Sequence, residues 1–162
     1  MAPQAAPLAL SANGDPARFA AFGLTVLTED GFVGHGPLAG VLAGMDWAAT
    51  RGATVLLTVP GDTPFIPRDL AAALAPPPGC AASGSRVHHL VALWPVAARE
   101  ALRGYLGTQG GSRGVQDFAA TIGMRPVVFP AVAVDPLYNA NTPDDVAAAR
   151  AMATRTGPED KP

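Results

Sequence analysis

Lysine and cysteine are almost absent from the sequence. Lys161 is the single lysine among 162 residues, and it lies in the polar stretch at the end of the chain. Cys80 is the single cysteine, which excludes a disulfide within the chain and predicts a reducing, cytoplasmic location. Charged residues make up only 15% of the chain and the formal net charge is -2, so no basic surface for nucleic acid is expected.

Long apolar runs are missing as well. The longest, 90–96 and 127–134, are too short to cross a bilayer and contain proline, so no membrane span or signal peptide is expected. The apolar share of 49% is enough for one core, and the 18 glycines and 17 prolines separate the apolar segments. We therefore expect one folded domain over residues 1–155 and a disordered polar tail over 156–162.

Short apolar runs alternate with segments of helical periodicity. This alternation predicts an α/β fold with a mainly parallel sheet, in which ligands bind at the carboxyl ends of the strands. The predicted strands are 8–12, 24–27, 54–59, 90–94 and 127–129. The predicted helices are 16–22, 37–51, 68–74, 96–106, 115–122 and 143–153.

Asp62 directly follows the predicted strand 54–59, in the motif Gly61-Asp62-Thr63-Pro64. A nucleotide-bound Mg²⁺ needs one or two carboxylates, because phosphates and water supply its other ligands. The same position is typical of an aspartate that caps a turn. The pattern alone leaves these two roles open.

A glycine-flanked segment, Gly36-Pro37-Leu38-Ala39-Gly40, opens the helix predicted over 37–51. Free N–H groups and the helix dipole at such a start favour an anion. A helix start with small packing residues is the simpler interpretation of this segment.

Two asparagines precede the last predicted helix, in the motif Asn139-Ala140-Asn141-Thr142-Pro143. Their side-chain amides can donate and accept hydrogen bonds to a ligand. The segment Thr142-Pro143-Asp144-Asp145 also has the spacing of a capping box. Alternatively to ligand binding, therefore, Asn141 or Thr142 caps the helix and Asn139 fills a turn. The adjacent pair His88-His89 does not predict a metal site, because neighbouring side chains on a strand point to opposite faces.

The order and spacing of these motifs resemble the MobA-type family of molybdenum cofactor guanylyltransferases, from about Leu8 to Ala151. The resemblance rests on four marks that occur in this order: Ser11-Ala12-Asn13, Gly36-Pro37-Leu38-Ala39-Gly40, Gly61-Asp62-Thr63-Pro64 and Asn139-Ala140-Asn141-Thr142-Pro143.

This resemblance implies a Rossmann-like nucleotidyltransferase fold and transfer of GMP from GTP to molybdopterin, with release of pyrophosphate. It implies Mg²⁺ as cofactor, and molybdoenzymes or their chaperones as protein partners. By the same resemblance, Asp62 binds Mg²⁺, Asn13 contacts the nucleotide and Arg113 faces the phosphate of the pterin. Either Glu29 or Asp30 supplies a second acidic group. The transfer site and its pterin side would be lined by Gly36, Pro37, Leu38, Gly40, Asn139 and Asn141.

The chain departs from the family at its start. Family members begin with a strand, a glycine-rich nucleotide loop and a helix, on the order of 30 residues or more. Nothing before Asn13 resembles that loop. We therefore expect either an active enzyme whose chain begins further upstream, or an inactive truncated homologue that serves as a pterin-binding or scaffold protein. A cytidylyltransferase is a further alternative, because the missing loop helps to select the base.

Overall fold

A computed structural model of the chain describes residues 4–29, 31–108, 114–131 and 134–155. The strands are β1 (Ala9–Ser11), β2 (Thr25–Leu27), β3 (Val55–Thr58), β4 (Gly79–Ser83), β5 (Arg86–Pro95) and β6 (Arg125–Val128). The α-helices are α1 (Pro37–Ala49), α2 (Leu70–Leu74), α3 (Arg99–Gly107), α4 (Val115–Thr121) and α5 (Pro143–Arg155). The α/β class is confirmed. None of the helices in the described ranges is long and apolar enough to cross a membrane.

The strands form two sheets. β1 and β2 pair in parallel, and the second sheet has the order β3-β5-β4-β6. β5 runs antiparallel to β3 and β4, whereas β4 and β6 are parallel, so three of the four strands share one direction. The four-stranded sheet is therefore mixed: β3, β4 and β6 share one direction, as the alternation of elements predicts, and the interior strand β5 runs against them.

Two elements differ from the sequence-based expectation. The sequence does not predict β4, because this strand contains no β-branched or aromatic residue. All five of its residues are buried between β5 and β6, so pairing with its neighbours makes this segment a strand. The segment Pro16–Phe22 is a 3₁₀ helix instead of an α-helix, and it has no buried residue that would hold a longer helix in place.

Hydrophobic side chains cover both faces of the four-stranded sheet. Along β5, Ala92 and Trp94 belong to one core that also includes residues of α1, α3 and α4. Val91 and Leu93 point the other way and pack with residues of α2. Burial on both faces explains why the central strands are continuous apolar runs instead of alternating ones.

Helix α1 packs closely against one strand of each sheet. A Cβ atom at Gly40 would lie 2.7 Å from Oγ of Ser11 in β1, and one at Gly44 would lie 2.9 Å from Cδ2 of Leu56 in β3. Glycine at both positions therefore lets the helix approach the strands. Gly40 faces Ser11, the last residue of β1, and Gly44 faces Leu56 in the first half of β3. Helix α1 therefore runs from the carboxyl ends of these strands toward their amino ends.

Candidate active site

The carboxyl ends of β1 and β2 bring Asn13 and Glu29 together. Each residue follows its strand by two positions, and the two strands lie side by side in parallel. Nδ2 of Asn13 donates a hydrogen bond to Oε2 of Glu29 over 3.0 Å. That bond uses the amide nitrogen and leaves the side-chain carbonyl oxygen of Asn13 as a hydrogen-bond acceptor. Asp30, the alternative acidic residue, lies outside the described residues.

The first turn of α1 lies beside the same strand ends. A Cβ atom at Gly40 would lie 3.6 Å from Oε1 of Glu29, in addition to its contact with Ser11. Gly36 precedes the helix with φ 76°, a conformation that favours glycine, and no side chain caps the helix start. Pro37 occupies the first turn, where its missing N–H leaves no bond unmade.

Leu38 differs from the other predicted residues of this segment. Its side chain is fully buried in the core that also includes residues of β4 and β5, so only its backbone can face a ligand at the helix start. The start of α1 is thus compatible with both sequence-based interpretations, a helix start with small packing residues and a site for an anion. Leu38 and Ala39 serve packing. Pro37 has no N–H and the N–H of Ala39 donates to the carbonyl of Gly36 over 3.1 Å, so the N–H of Leu38 is the first-turn donor that remains for an anion among the described residues.

Asp62 lies in a turn that follows β3. The N–H of Thr63 donates to the carbonyl of Pro60, and Oγ1 of Thr63 donates to Oδ1 of Asp62 over 3.3 Å. Thr63 is buried, whereas Asp62 is half-buried. The second carboxylate oxygen of Asp62 has no hydrogen-bond partner among the described residues. One carboxylate oxygen of Asp62 therefore accepts a hydrogen bond within the turn, and the other is available to a ligand.

The loop that carries Asn139 and Asn141 contacts the Asp62 turn. The N–H of Ala140 donates to the carbonyl oxygen of Asp62 over 2.8 Å, which joins two segments far apart in the chain. Asn139 is half-buried and Asn141 is exposed. Neither side-chain amide makes a hydrogen bond with another residue in the described part of the chain, so both amides are available to a ligand.

The start of α5 explains why Asn141 is not needed as a cap. The N–H groups of Asn141 and Thr142 donate to Oδ2 of Asp145, over 3.0 and 2.9 Å, and the N–H of Asp145 donates to Oγ1 of Thr142 over 3.1 Å. This is the capping box that the sequence predicts. These hydrogen bonds from Thr142 and Asn141 lower the pKa of Asp145 below its ordinary value of 3.8.

The predicted residues therefore form two clusters. We call Ser11, Asn13, Glu29 and Gly40 the strand-end cluster, and Asp62, Asn139 and Asn141 the Asp62 cluster. Both lie at the carboxyl ends of parallel strands, on the side where α1 begins. Sequence reasoning places the members of each cluster at strand ends, and the structure adds the Asn13–Glu29 and Asp62–Ala140 hydrogen bonds. Arg113 and the tail 156–162 lie outside the described residues.

Asp62 fits a magnesium ion that is bound mainly through a nucleotide. No three His, Cys, Asp or Glu side chains lie together as a metal-binding group in the described ranges, so Asp62 offers a single carboxylate. A hard cation accepts such an oxygen when phosphate and water oxygens complete its shell. The unpaired Oδ2 atom of Asp62 is a suitable donor for this arrangement.

A cavity of about 270 Å³ adjoins the strand-end cluster, between β2, α1 and α3. Glu29, Phe32 and Leu42 contribute to its wall, which ends at an ion pair between α1 and α3. In that pair, Nη2 of Arg103 lies 2.7 and 2.9 Å from the two carboxylate oxygens of Asp46. The sequence does not predict this cavity, because Asp46 and Arg103, whose ion pair closes it, come from helices that are distant in the chain.

Asp135 is a further residue that sequence reasoning does not identify. Its carboxylate accepts hydrogen bonds from Oγ of Ser83 over 3.0 Å and from the N–H of Leu137 over 2.8 Å. The one available signal is the Asp-Pro pair at 135 and 136, which is typical of a turn. That pattern gives no indication of the contact with β4, which lies 52 residues earlier in the chain.

Comparison with known proteins identifies the family. The model of the MobA-like NTP transferase domain matches residues 1–122. A molybdenum cofactor guanylyltransferase of Acidiphilium cryptum (strain JF-5) is 58% identical over 148 residues, which cover 91% of this chain and 74% of that protein. A molybdenum cofactor guanylyltransferase of Bradyrhizobium sp. (strain ORS 278) is 46% identical over 166 residues, which cover 94% of this chain and 76% of that protein.

Solved structures support the same fold. Molybdopterin-guanine dinucleotide biosynthesis protein A from Archaeoglobus fulgidus superposes with a TM-score of 0.58 and 17% identity, over 87% of this chain and 76% of that one. A protein from Aquifex aeolicus VF5 superposes with a TM-score of 0.66 and 17% identity, over 79% of this chain and 68% of that one. At 17% identity the superpositions show the fold alone. The family model and the curated relatives go further, and they show that the chain belongs to the MobA-like NTP transferase family.

Proposed function

We propose that the protein transfers GMP from GTP to molybdopterin, which forms the guanine dinucleotide cofactor and releases pyrophosphate. The observation that carries this proposal is the contact between the Asp62 turn and the loop of Asn139 and Asn141, at the strand ends of a chain with close relatives named for this reaction. We extend the proposal to delivery of the product to molybdoenzymes or their chaperones.

In this reaction an oxygen of the terminal phosphate of molybdopterin attacks the α-phosphorus of GTP. A new P–O bond forms, the bond from the α-phosphorus to the bridging oxygen of the β-phosphate breaks, and pyrophosphate leaves with that electron pair. No protein nucleophile takes part. The task of the protein is therefore to position two phosphates and to neutralise their charge.

Asp62 would hold Mg²⁺ through the oxygen that has no partner among the described residues. When bound, Mg²⁺ would offset negative charge on the phosphates. Asn139 and Asn141 would orient the attacking phosphate, because their free amides lie on the loop that contacts Asp62. Arg113 is assigned to the pterin phosphate by the family resemblance alone.

The strand-end cluster would bind the nucleotide. Glu29 fixes the amide nitrogen of Asn13, which leaves the carbonyl oxygen of Asn13 to accept a hydrogen bond from GTP. Gly40 keeps α1 close to these two residues, and the N–H of Leu38 together with the helix dipole at the start of α1 favours a phosphate. Glu29 is the acidic residue of this cluster within the described part of the chain, and Asp30 is retained as the alternative.

The test measures formation of the guanine dinucleotide product from GTP, molybdopterin and Mg²⁺ by the protein as isolated from its native cells. We expect product in the wild type and a loss of at least about a hundredfold in Asp62→Ala. Asp69→Ala is the matched control, because Asp69 is an exposed aspartate that makes no capping hydrogen bond at the start of α2.

Equal rates in Asp62→Ala and Asp69→Ala would contradict the role of Asp62. CTP in place of GTP tests the choice of nucleotide, and preferential use of CTP would instead support the cytidylyltransferase alternative. Binding of molybdopterin without any transfer would support the inactive homologue.

A further inference from the structure

We propose that Asp135 is a positioning residue that holds the loop of Asn139 and Asn141 in the geometry needed for transfer. This inference rests on the proposed function, because it gives the loop a role in that reaction. Asp135 itself lies outside both clusters and is assigned no contact with either substrate.

Asp135 is anchored to the sheet. Oγ of Ser83 donates to Oδ2 of Asp135 over 3.0 Å, and Ser83 is only 5% exposed at the end of β4. β4 is an interior strand that pairs with both β5 and β6, and Ser83 pairs with Arg86 of β5, so the anchor belongs to the sheet. A hydrogen bond to a carboxylate in such a place is also stronger than one between neutral groups.

Asp135 in turn fixes the start of the loop. Its Oδ1 accepts the N–H of Leu137 over 2.8 Å, and its backbone carbonyl accepts the N–H of Tyr138 over 3.1 Å. The side chain of Leu137 is 1% exposed and belongs to the core on the α2 side of the sheet. The carboxylate therefore sets where the backbone leaves the core, immediately before Asn139.

A second carboxylate fixes the end of the loop. Asp145 accepts the N–H groups of Asn141 and Thr142, while Ala140 in the middle donates to the carbonyl of Asp62. The two asparagine side chains have no hydrogen-bond partner of their own among the described residues. Their placement consequently depends on the backbone, and the backbone depends on Asp135 and Asp145.

Three variants separate positioning from simple stability. Asp135→Ala removes both hydrogen bonds of the carboxylate, and Ser83→Ala removes one of them. Asp135→Asn is the conservative variant, because its amide oxygen can accept from Leu137 while its nitrogen donates to Oγ of Ser83. Asp69→Ala, an exposed aspartate outside these contacts, is the matched control.

Two measurements are made on the full protein as isolated from its native cells. Amide hydrogen exchange reports the protection of Leu137 and Ala140, and steady-state kinetics report KM and kcat with GTP and with molybdopterin varied separately. We expect at least tenfold faster exchange at both amides in Asp135→Ala. We also expect a fall in kcat/KM of about tenfold to a hundredfold, because displacement of a positioning group by about 1 Å has that effect. KM for GTP should stay within twofold.

Asp135→Asn should recover most of the activity. The double variant Asp135→Ala with Ser83→Ala should lose no more activity than Asp135→Ala alone, because both changes remove the same Ser83–Asp135 contact. Faster exchange without a change in transfer would overturn the positioning role. Unchanged exchange in Asp135→Ala, or in Ser83→Ala if the former does not fold, would overturn the anchoring. Absence of transfer in the wild type overturns the proposed function and its positioning role together, whereas exchange still reports on the anchoring.

Discussion

Replacement of Gly40 by alanine tests how closely α1 must approach β1. The new Cβ atom would lie 2.7 Å from Oγ of Ser11 and 3.5 Å from Cβ of the same residue. The first distance is shorter than real Cβ contacts, so either Ser11 or the helix has to move. Because Oε1 of Glu29 lies 3.6 Å from the same point, the displacement would also affect Glu29, the acidic residue of the strand-end cluster.

Two opposing effects set the size of the change. Alanine in place of glycine in a helix stabilises by about 0.5–1 kcal/mol. An added methyl group in a tightly packed contact destabilises by about 1–3 kcal/mol. The net prediction is a loss of about 0–2.5 kcal/mol in the free energy of unfolding. Gly104 in α3 supplies the matched control, because nothing lies within 4 Å of a Cβ atom built there.

Urea unfolding of the two variants measures this difference. Gly104→Ala should be more stable than the wild type, and Gly40→Ala should be less stable than Gly104→Ala by about 1–3 kcal/mol. Gly40→Ala combined with Ser11→Ala removes the nearest atom, Oγ, and should recover part of the loss. Equal stabilisation by Gly40→Ala and Gly104→Ala would refute the close approach of α1 to β1.

Three further predictions concern polar groups of the fold. Thr58→Val leaves Nε1 of the fully buried Trp94 without its 2.8 Å acceptor, so urea unfolding should show a loss of about 1–3 kcal/mol that Thr58→Ser avoids. The lowered pKa of Asp145 means that its stabilisation is present above the ordinary value of 3.8 and is lost as the pH falls through the lower folded value. The Tm difference between wild type and Asp145→Ala should therefore shrink in acid, and a constant difference would contradict the capping role of the carboxylate. Burial lowers the pKa of His88 below 6.5, so the unfolded chain takes up its proton first and stability falls as the pH drops from about 6.5 through the folded value. His88→Asn should weaken this decline in Tm more than His89→Asn does.

Local chemistry was sufficient to predict the strand ends and the capping box. Glycine, proline, asparagine and aspartate interrupt the apolar runs at these positions, and each has a specific reason to occupy a turn or a helix start. The contact pairs Asn13–Glu29 and Thr142–Asp145 join residues that are close in the chain or follow paired parallel strands. Such contacts follow from turn and capping preferences and from strand pairing, which can be predicted directly from the sequence.

Other features depend on the tertiary structure and leave little trace in the sequence. β4 is a strand only because β5 and β6 pair with it, since its own residues have weak preference for a strand. The Ser83–Asp135 hydrogen bond joins residues 52 positions apart, and the Arg103–Asp46 pair joins residues 57 positions apart. Neither pair shows a local pattern that distinguishes it from exposed polar residues.

The most direct test of the proposed reaction follows the phosphates of GTP. The protein as isolated from its native cells is incubated with molybdopterin, Mg²⁺ and GTP labelled at either the α- or the γ-phosphate. The proposed reaction predicts that the α-label enters the dinucleotide product and that the γ-label leaves in pyrophosphate. Release of the γ-label as inorganic phosphate, or no α-label in a pterin product, would contradict guanylyl transfer.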